Sequence, residues 1–300
     1  MKKLITLILS FAATLGIVSA QDYSDAFERQ KGITRITERT LCSTCKEKEH
    51  ILTYIFDQSG FNIETQSFYN GEKIGIARHF WNKEGALQST QHYRSTKSNG
   101  STSASRSEAQ NASKNATPSW DTTKISEEIR RTYAGPRLDK ITWMEGEAQN
   151  VSRVINLYYD NNGKVAREEH ITLPQSTHYH KTFRYAGDSI FIEYFKKDVP
   201  TGKGKKKLNK AGKPLYEATH NAAGVKIYEC KNRYNPAGRI LEQNIVETGI
   251  DGYGERVAQS GYDKITYRYD PLGKLAIVDK YVKGKVSVTD FYEYALATGK

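Results

Sequence analysis

The sequence predicts an all-β protein: an antiparallel meander of β-hairpin repeats forming an extended twisted sheet, interrupted by one disordered insert. Three observations carry this prediction. A motif of Asp or Asn, two residues and Gly recurs seven times; aromatic residues stand just before many of these motifs; and the recurrences are spaced by about one hairpin. The turn motifs come first because they fix the strands between them.

The seven motifs are Asp57-Gln-Ser-Gly60, Asn82-Lys-Glu-Gly85, Asp160-Asn-Asn-Gly163, Asn209-Lys-Ala-Gly212, Asn221-Ala-Ala-Gly224, Asn235-Pro-Ala-Gly238 and Asp270-Pro-Leu-Gly273. An Asx side chain accepts a hydrogen bond from backbone two residues on, and Gly supplies the positive φ that closes a type I turn with a bulge. Pro at the second position, in two copies, matches that turn's fixed φ. A second set of turns is read at Asn70-Gly71, Lys283-Gly284 and Thr201-Gly202.

Strand sequence lies between. Tyr54-Ile-Phe56, Phe80-Trp81, Tyr158-Tyr159, Tyr234 and Tyr267-Arg-Tyr269 precede turns, and strands restart after Gly as in Gly238-Arg-Ile and Gly273-Lys-Leu. In Ile265-Thr-Tyr267-Arg-Tyr269 the apolar and aromatic residues share one face and Thr266 and Arg268 the other. The step from Gly60 to Gly85 matches one hairpin, and the half-step from Gly212 to Gly224 matches one strand plus one turn. One strand per half-step gives roughly 14–18 strands.

The chain divides into a signal peptide (1–20), N-terminal hairpin repeats (21–94), a low-complexity insert (95–119) and C-terminal hairpin repeats (120–300). Met1-Lys2-Lys3, an apolar stretch and the exit Val18-Ser19-Ala20 describe a secretory leader too short to span a bilayer. The insert is rich in Ser, Asn, Thr and Lys and is read as disordered. Residues 123–131 read as the one short helix, and the Gly-rich stretch 247–263 as a lengthened connection that breaks the repeat.

The formal charge is +11, part of it in the run Lys203, Lys205, Lys206, Lys207, Lys210 and Lys213. This run is expected in a solvated loop able to attract an anionic partner. Cys42-Ser-Thr-Cys45 lacks the βαβ context of a redox centre, and His50 offers only a third ligand for zinc. A structural disulfide among Cys42, Cys45 and Cys230 suits an exported chain, with the pairing open.

Tyr267-Arg-Tyr269-Asp-Pro-Leu-Gly273-Lys-Leu275 resembles the YD repeat of the RHS family. Phe68-Tyr-Asn-Gly71-Glu-Lys-Ile-Gly75, continuing to Phe80-Trp-Asn-Lys-Glu-Gly85, is similar to MORN-variant repeats of bacterial proteins. The resemblance spans roughly residues 50–94 and 155–294. It implies hairpin meanders in exported proteins and carries no catalytic residues to map. The shell that such repeats form in large RHS proteins does not carry over, because this chain is too short. Asp121-Thr122-Thr123 and Asp188-Ser189-Ile190 resemble the O-glycosylation acceptor of exported Bacteroidetes proteins.

No GxSxG, Walker loop, dinucleotide fingerprint or HExxH occurs. The candidate metal ligands are His178 and His180, which share a strand face, with His170 one strand earlier. The expectation is a non-catalytic exported binding or scaffold protein without a cofactor, in the periplasm, at the outer membrane or secreted. It would use Tyr267, Tyr269 and Lys203, Lys205, Lys206 and Lys207 to bind an envelope protein or anionic glycan, with open sheet edges available for strand addition. Nucleic acid is not expected, and membrane contact is peripheral at most. The alternatives are an accessory subunit of an outer-membrane secretion or uptake complex, and a metal-dependent hydrolase of envelope polysaccharide.

Overall fold

A computed structural model describes residues 30–42, 49–94, 125–146, 148–174 and 177–297. These residues form strands β1 (Ile33–Cys42), β2 (Glu49–Phe56), β3 (Asn62–Tyr69), β4 (Glu72–Trp81), β5 (Leu87–Arg94), β6 (Ile125–Ala134), β7 (Arg137–Glu145), β8 (Asn150–Tyr159) and β9 (Val165–Thr172). They continue with β10 (Thr177–Ala186), β11 (Ser189–Lys196), β12 (Val199–Leu208), β13 (Pro214–Asn221), β14 (Lys226–Tyr234), β15 (Ile240–Glu247), β16 (Lys264–Tyr269), β17 (Leu275–Val282) and β18 (Lys285–Leu296).

Each strand pairs antiparallel with its neighbours in sequence, as a meander requires. The sheet does not stay open. β1 pairs with β18 as well as β2, running from Ile33 opposite Leu296 to Cys42 opposite Val288. The expected extended sheet is therefore corrected to a closed 18-stranded barrel. Closure satisfies the two edges that a meander would otherwise leave unpaired, so strand addition at an open edge has no place here. Eighteen strands about 4.8 Å apart give a circular section roughly 27 Å across even before tilt is included.

Register identifies the two faces of the wall. Ile141 faces Ile155, Ile155 faces His170, and Leu157 faces Glu168. Glu168 faces Lys181, Lys181 faces Tyr194, and Ile192 faces Gly204. Tyr194, Ile141, Ile155, Ile192 and Glu168 are among the most deeply buried side chains, so this is the concave face. An apolar core of Leu138, Ile141, Ile155, Leu157 and Val165 lies on it, with Tyr133, Trp143 and Phe183 packed around.

The barrel has a regular rim and an irregular one. At the regular rim Gly60, Gly85, Gly163, Gly212, Gly238 and Gly273 all have φ between +75° and +84°. Asp270 shows the mechanism: its Oδ1 accepts from Lys274 N at 2.7 Å while Gly273 N donates to Asp270 O at 2.8 Å. The aromatic near the end of most strands that run to this rim has a structural task. Tyr133 donates to Leu87 O, Tyr185 to Val165 O, Tyr234 to Pro214 O, Tyr269 to Ile240 O and Tyr294 to Leu275 O, each at 2.9 Å. Trp81 Nε1 does the same to Asn62 O at 2.8 Å. Each acceptor begins the strand after the preceding turn at this rim, so the repeated aromatic ties one hairpin to the next.

Three local expectations are corrected. Residues from 125 to 131 belong to β6 rather than a helix. Cross-strand pairing on both sides overrides local helical tendency. Thr201-Gly202 lies inside β12 rather than in a turn; the turn is Lys197-Asp198, both with positive φ. Four of the lysines of the run are likewise strand: Lys203, Lys205 and Lys207 face out, while Lys206 faces in against Glu217 at 3.6 Å; only Lys210 and Lys213 lie in the connection, in the turn between β12 and β13. The signal peptide, the insert at 95–119 and Cys45 lie outside the described residues.

Candidate functional site

The irregular rim carries the connections that depart from the repeat. The longest described one, residues 248–263, folds back against the concave face of β9 to β12. Its tip is held by an Asx turn of the same kind as the others. Asp251 Oδ1 accepts from Tyr253 N and Glu255 N, each at 2.9 Å, and Gly254 has φ +82°. Asp251-Gly-Tyr-Gly254 is thus a further copy of the turn motif, set in a stretch whose extra glycines read in the sequence as a break.

The loop docks through close backbone contact. Thr201 Oγ1 donates to Gly252 O at 3.0 Å, and Lys196 pairs with Glu255. The Tyr253 ring lies 5.0 Å from Tyr179, 5.3 Å from Tyr194 and 6.1 Å from His170, centroid to centroid. A Cβ at Gly252 would stand 2.6 Å from the Tyr194 ring, and one at Gly202 would stand 2.7 Å from Gly252 O. Glycine is required at both positions for this approach.

Beside the docked loop sits a buried charge group. Glu168 Oε1 accepts from Lys181 Nζ at 2.9 Å and His170 Nε2 at 2.5 Å. Burial alone would raise the Glu168 carboxyl, but the Lys181 ammonium and the His170 hydrogen bond outweigh it and hold it at about 2. Buried Asp290 pairs with the half-buried Lys280 at 2.7 Å. Burial pushes the Cys230 thiol up to about 11, which makes it a poor nucleophile. Cys230 is free, whereas Cys42 is disulfide-bonded.

The three expected metal ligands do not converge. His170 pairs with Tyr179 across the strands, so it faces the lumen. His178 and His180 face out, as their spacing requires. Asp198, from the β11–β12 turn, joins them: among the described residues these three place ligand atoms within 4.8 Å of one another. Sequence reasoning missed Asp198 because nothing local relates it to β10. Tyr267 and Tyr269 also face inward, donating to Gln243 Oε1 and Ile240 O, so they pack and tie the wall rather than present an aromatic surface.

No protein-family model matches the chain, and no curated protein matches it. The YD, RHS and MORN resemblances are therefore unsupported as family assignments. Among solved structures, the chain is similar to a porin-like protein from Bacteroides uniformis at 8% identity, with 88% of this chain and 98% of that one covered and a TM-score of 0.41. A porin-like protein from Bacteroides vulgatus matches at 11% identity, with 89% and 99% covered and a TM-score of 0.37. The Photorhabdus luminescens Tc holotoxin pore matches at 10% identity over 84% of this chain and 18% of that one, with a TM-score of 0.23. Likeness at this level carries over no activity.

Proposed function

We propose that the protein is a non-catalytic barrel of the bacterial envelope that stands in water and engages an envelope protein or anionic glycan through its irregular rim. The observation that carries this reading is the outer face. Arg78, Arg130, Lys231 and Arg268 lie within β4, β6, β14 and β16, face outward and keep 41%, 58%, 61% and 60% of their side chains exposed. A lipid-facing barrel needs an apolar band about 25 Å tall, and each Arg or Lys near its midplane costs roughly 2–4 kcal/mol. Cations on strands all around this wall suit water instead. Inside, buried acids are bonded to cations, Glu168 to the buried Lys181 and Asp290 to the half-buried Lys280, an arrangement that supports a wall more readily than a reacting centre.

The second reading is a lipid-spanning pore, favoured by closure and by a strand count within the range of barrels with an aqueous channel. Washing envelopes of producing cells with alkaline carbonate or urea separates the two. The proposal expects release without detergent. Retention until detergent is added, with conductance in planar bilayers, would establish the pore.

A further inference from the structure

Outside the lumen, one cluster of side chains has the composition and supporting contacts of a metal centre. His178 and His180 stand two apart on β10, so both rings project from the same face. Their centroids are 5.8 Å apart. Asp198 reaches them from the next turn, its Oδ1 3.6 Å from His180 Nδ1. That separation is near the roughly 3.3 Å edge of a tetrahedron with metal–ligand bonds of about 2.0 Å.

Three further features fit a bound cation. His180 is 8% exposed at its side chain, and its buried Nδ1 makes no hydrogen bond. A buried ring nitrogen that makes no hydrogen bond, with a carboxylate too far off to supply one, is costly unless something sits between them. The ring is fixed by stacking on Phe195, centroids 4.5 Å apart and planes 9° from parallel. His178 Nε2 lies 2.7 Å from Glu169 Oε1, which leaves Nδ1 as its free ligand atom. Glu169 is itself fixed by Asn156 Nδ2 at 3.1 Å, Tyr158 OH at 3.0 Å and Arg167 at 3.1 Å. A carboxylate on the far nitrogen of a histidine is the usual support of a metal-bound imidazole. Finally, Lys197 and Asp198 have φ +48° and +62°. Such a turn favours Gly or Asn at both positions. That local cost is explained if the turn serves to deliver Asp198.

We propose that His178, His180 and Asp198 bind one borderline divalent transition-metal ion of the zinc class on the outer face, with Glu169 orienting His178. Two imidazoles and one carboxylate leave a coordination position for water or for a ligand group of a partner. The ion would fasten the β11–β12 turn to β10 at the irregular rim. This inference holds whether the barrel stands in water or in lipid.

The test uses the full chain, freed of any affinity tag, stripped with EDTA and titrated with zinc chloride by calorimetry. The expected result is one ion per chain with a Kd tighter than about 10 μM, some 6.8 kcal/mol of binding free energy. His178→Ala, His180→Ala and Asp198→Asn should each weaken binding at least tenfold, and Glu169→Gln by about 10–100-fold. His220→Ala, on β13, serves as the surface control and should leave binding unchanged. Circular dichroism matching the parent shows that each variant is folded, and zinc should raise the melting temperature of the parent but not of Asp198→Asn. Binding weaker than that limit, more than one ion per chain, or affinity indifferent to all three ligand substitutions would overturn the proposal.

Discussion

Replacing Glu168 by Gln tests whether the buried charge group holds the wall. The substitution keeps the shape and removes the charge, leaving the Lys181 ammonium, 4% exposed, without its counter-ion. The Glu168 carboxyl lies at about 2 against an ordinary 4.5. That gap corresponds to roughly 3 kcal/mol of folded-state stabilisation. Breaking a buried pair from one side costs about 3–5 kcal/mol, which agrees. At about 2–4 °C per kcal/mol for a large domain, Glu168→Gln should melt roughly 6–12 °C below the parent near neutral pH. Because the folded-state value is depressed, the contribution is complete above about pH 4.5 and disappears as pH falls toward 2. The gap between parent and variant should therefore close over that window. Adding Lys181→Met should recover most of the loss, since the unpaired cation leaves with it. Thermal unfolding followed by circular dichroism at several pH values reads all three. Equal melting temperatures at pH 7, or a double variant no better than Glu168→Gln alone, would refute the reasoning.

Other expectations follow from single contacts. Gly252→Ala places a methyl group against the Tyr194 ring and should undock residues 248–263. Chymotrypsin cleavage at Tyr253 should then quicken at least about tenfold, because cleavage tracks the opened population; unchanged cleavage would mean that the loop is not held as described. Lys206→Gln should cost about 3 kcal/mol by removing the cation beside Glu217 on the concave face, whereas Lys203, Lys205 and Lys207 replaced together by Gln should change stability by less than about 1 kcal/mol. Urea midpoints distinguish the two cases. Arg39 and Phe291 stand opposite each other across β1 and β18. Antiparallel partners of this kind lie within disulfide reach. Cysteines at both positions should couple on mild oxidation and raise the melting temperature; no coupling would argue against closure.

The local architecture could be read from the sequence, and the long-range architecture could not. Asx-x-x-Gly turns and alternating strands depend on neighbours a few residues apart, and the structure places hairpins at those turns. Closure depends on β1 meeting β18, with Ile33 opposite Leu296, and no local signal encodes that meeting. The concave face is hidden for the same reason. Alternation sorts Tyr267 and Tyr269 from Arg268, but only closure decides that the tyrosines turn inward. His178 and His180 share a face because strand geometry demands it. His170 leaves them because the pairing of β9 with β10 sets it opposite Tyr179. The turn from Asp251 to Gly254 is hard to see in the sequence because Ile250, rather than an aromatic, precedes it among several other glycines.

Spin labels on the outer wall test the central claim most directly. Arg130→Cys and Arg268→Cys place labels at outward positions within β6 and β16, while buried Cys230, with its thiol pushed up to about 11, should stay unlabelled. Collision with a water-soluble nickel chelate and with dissolved oxygen would be measured in native envelopes. A barrel standing in water predicts both labels open to the chelate, with no preference for oxygen. Labels shielded from the chelate and enriched in oxygen collisions would place the outer face in lipid and contradict the account.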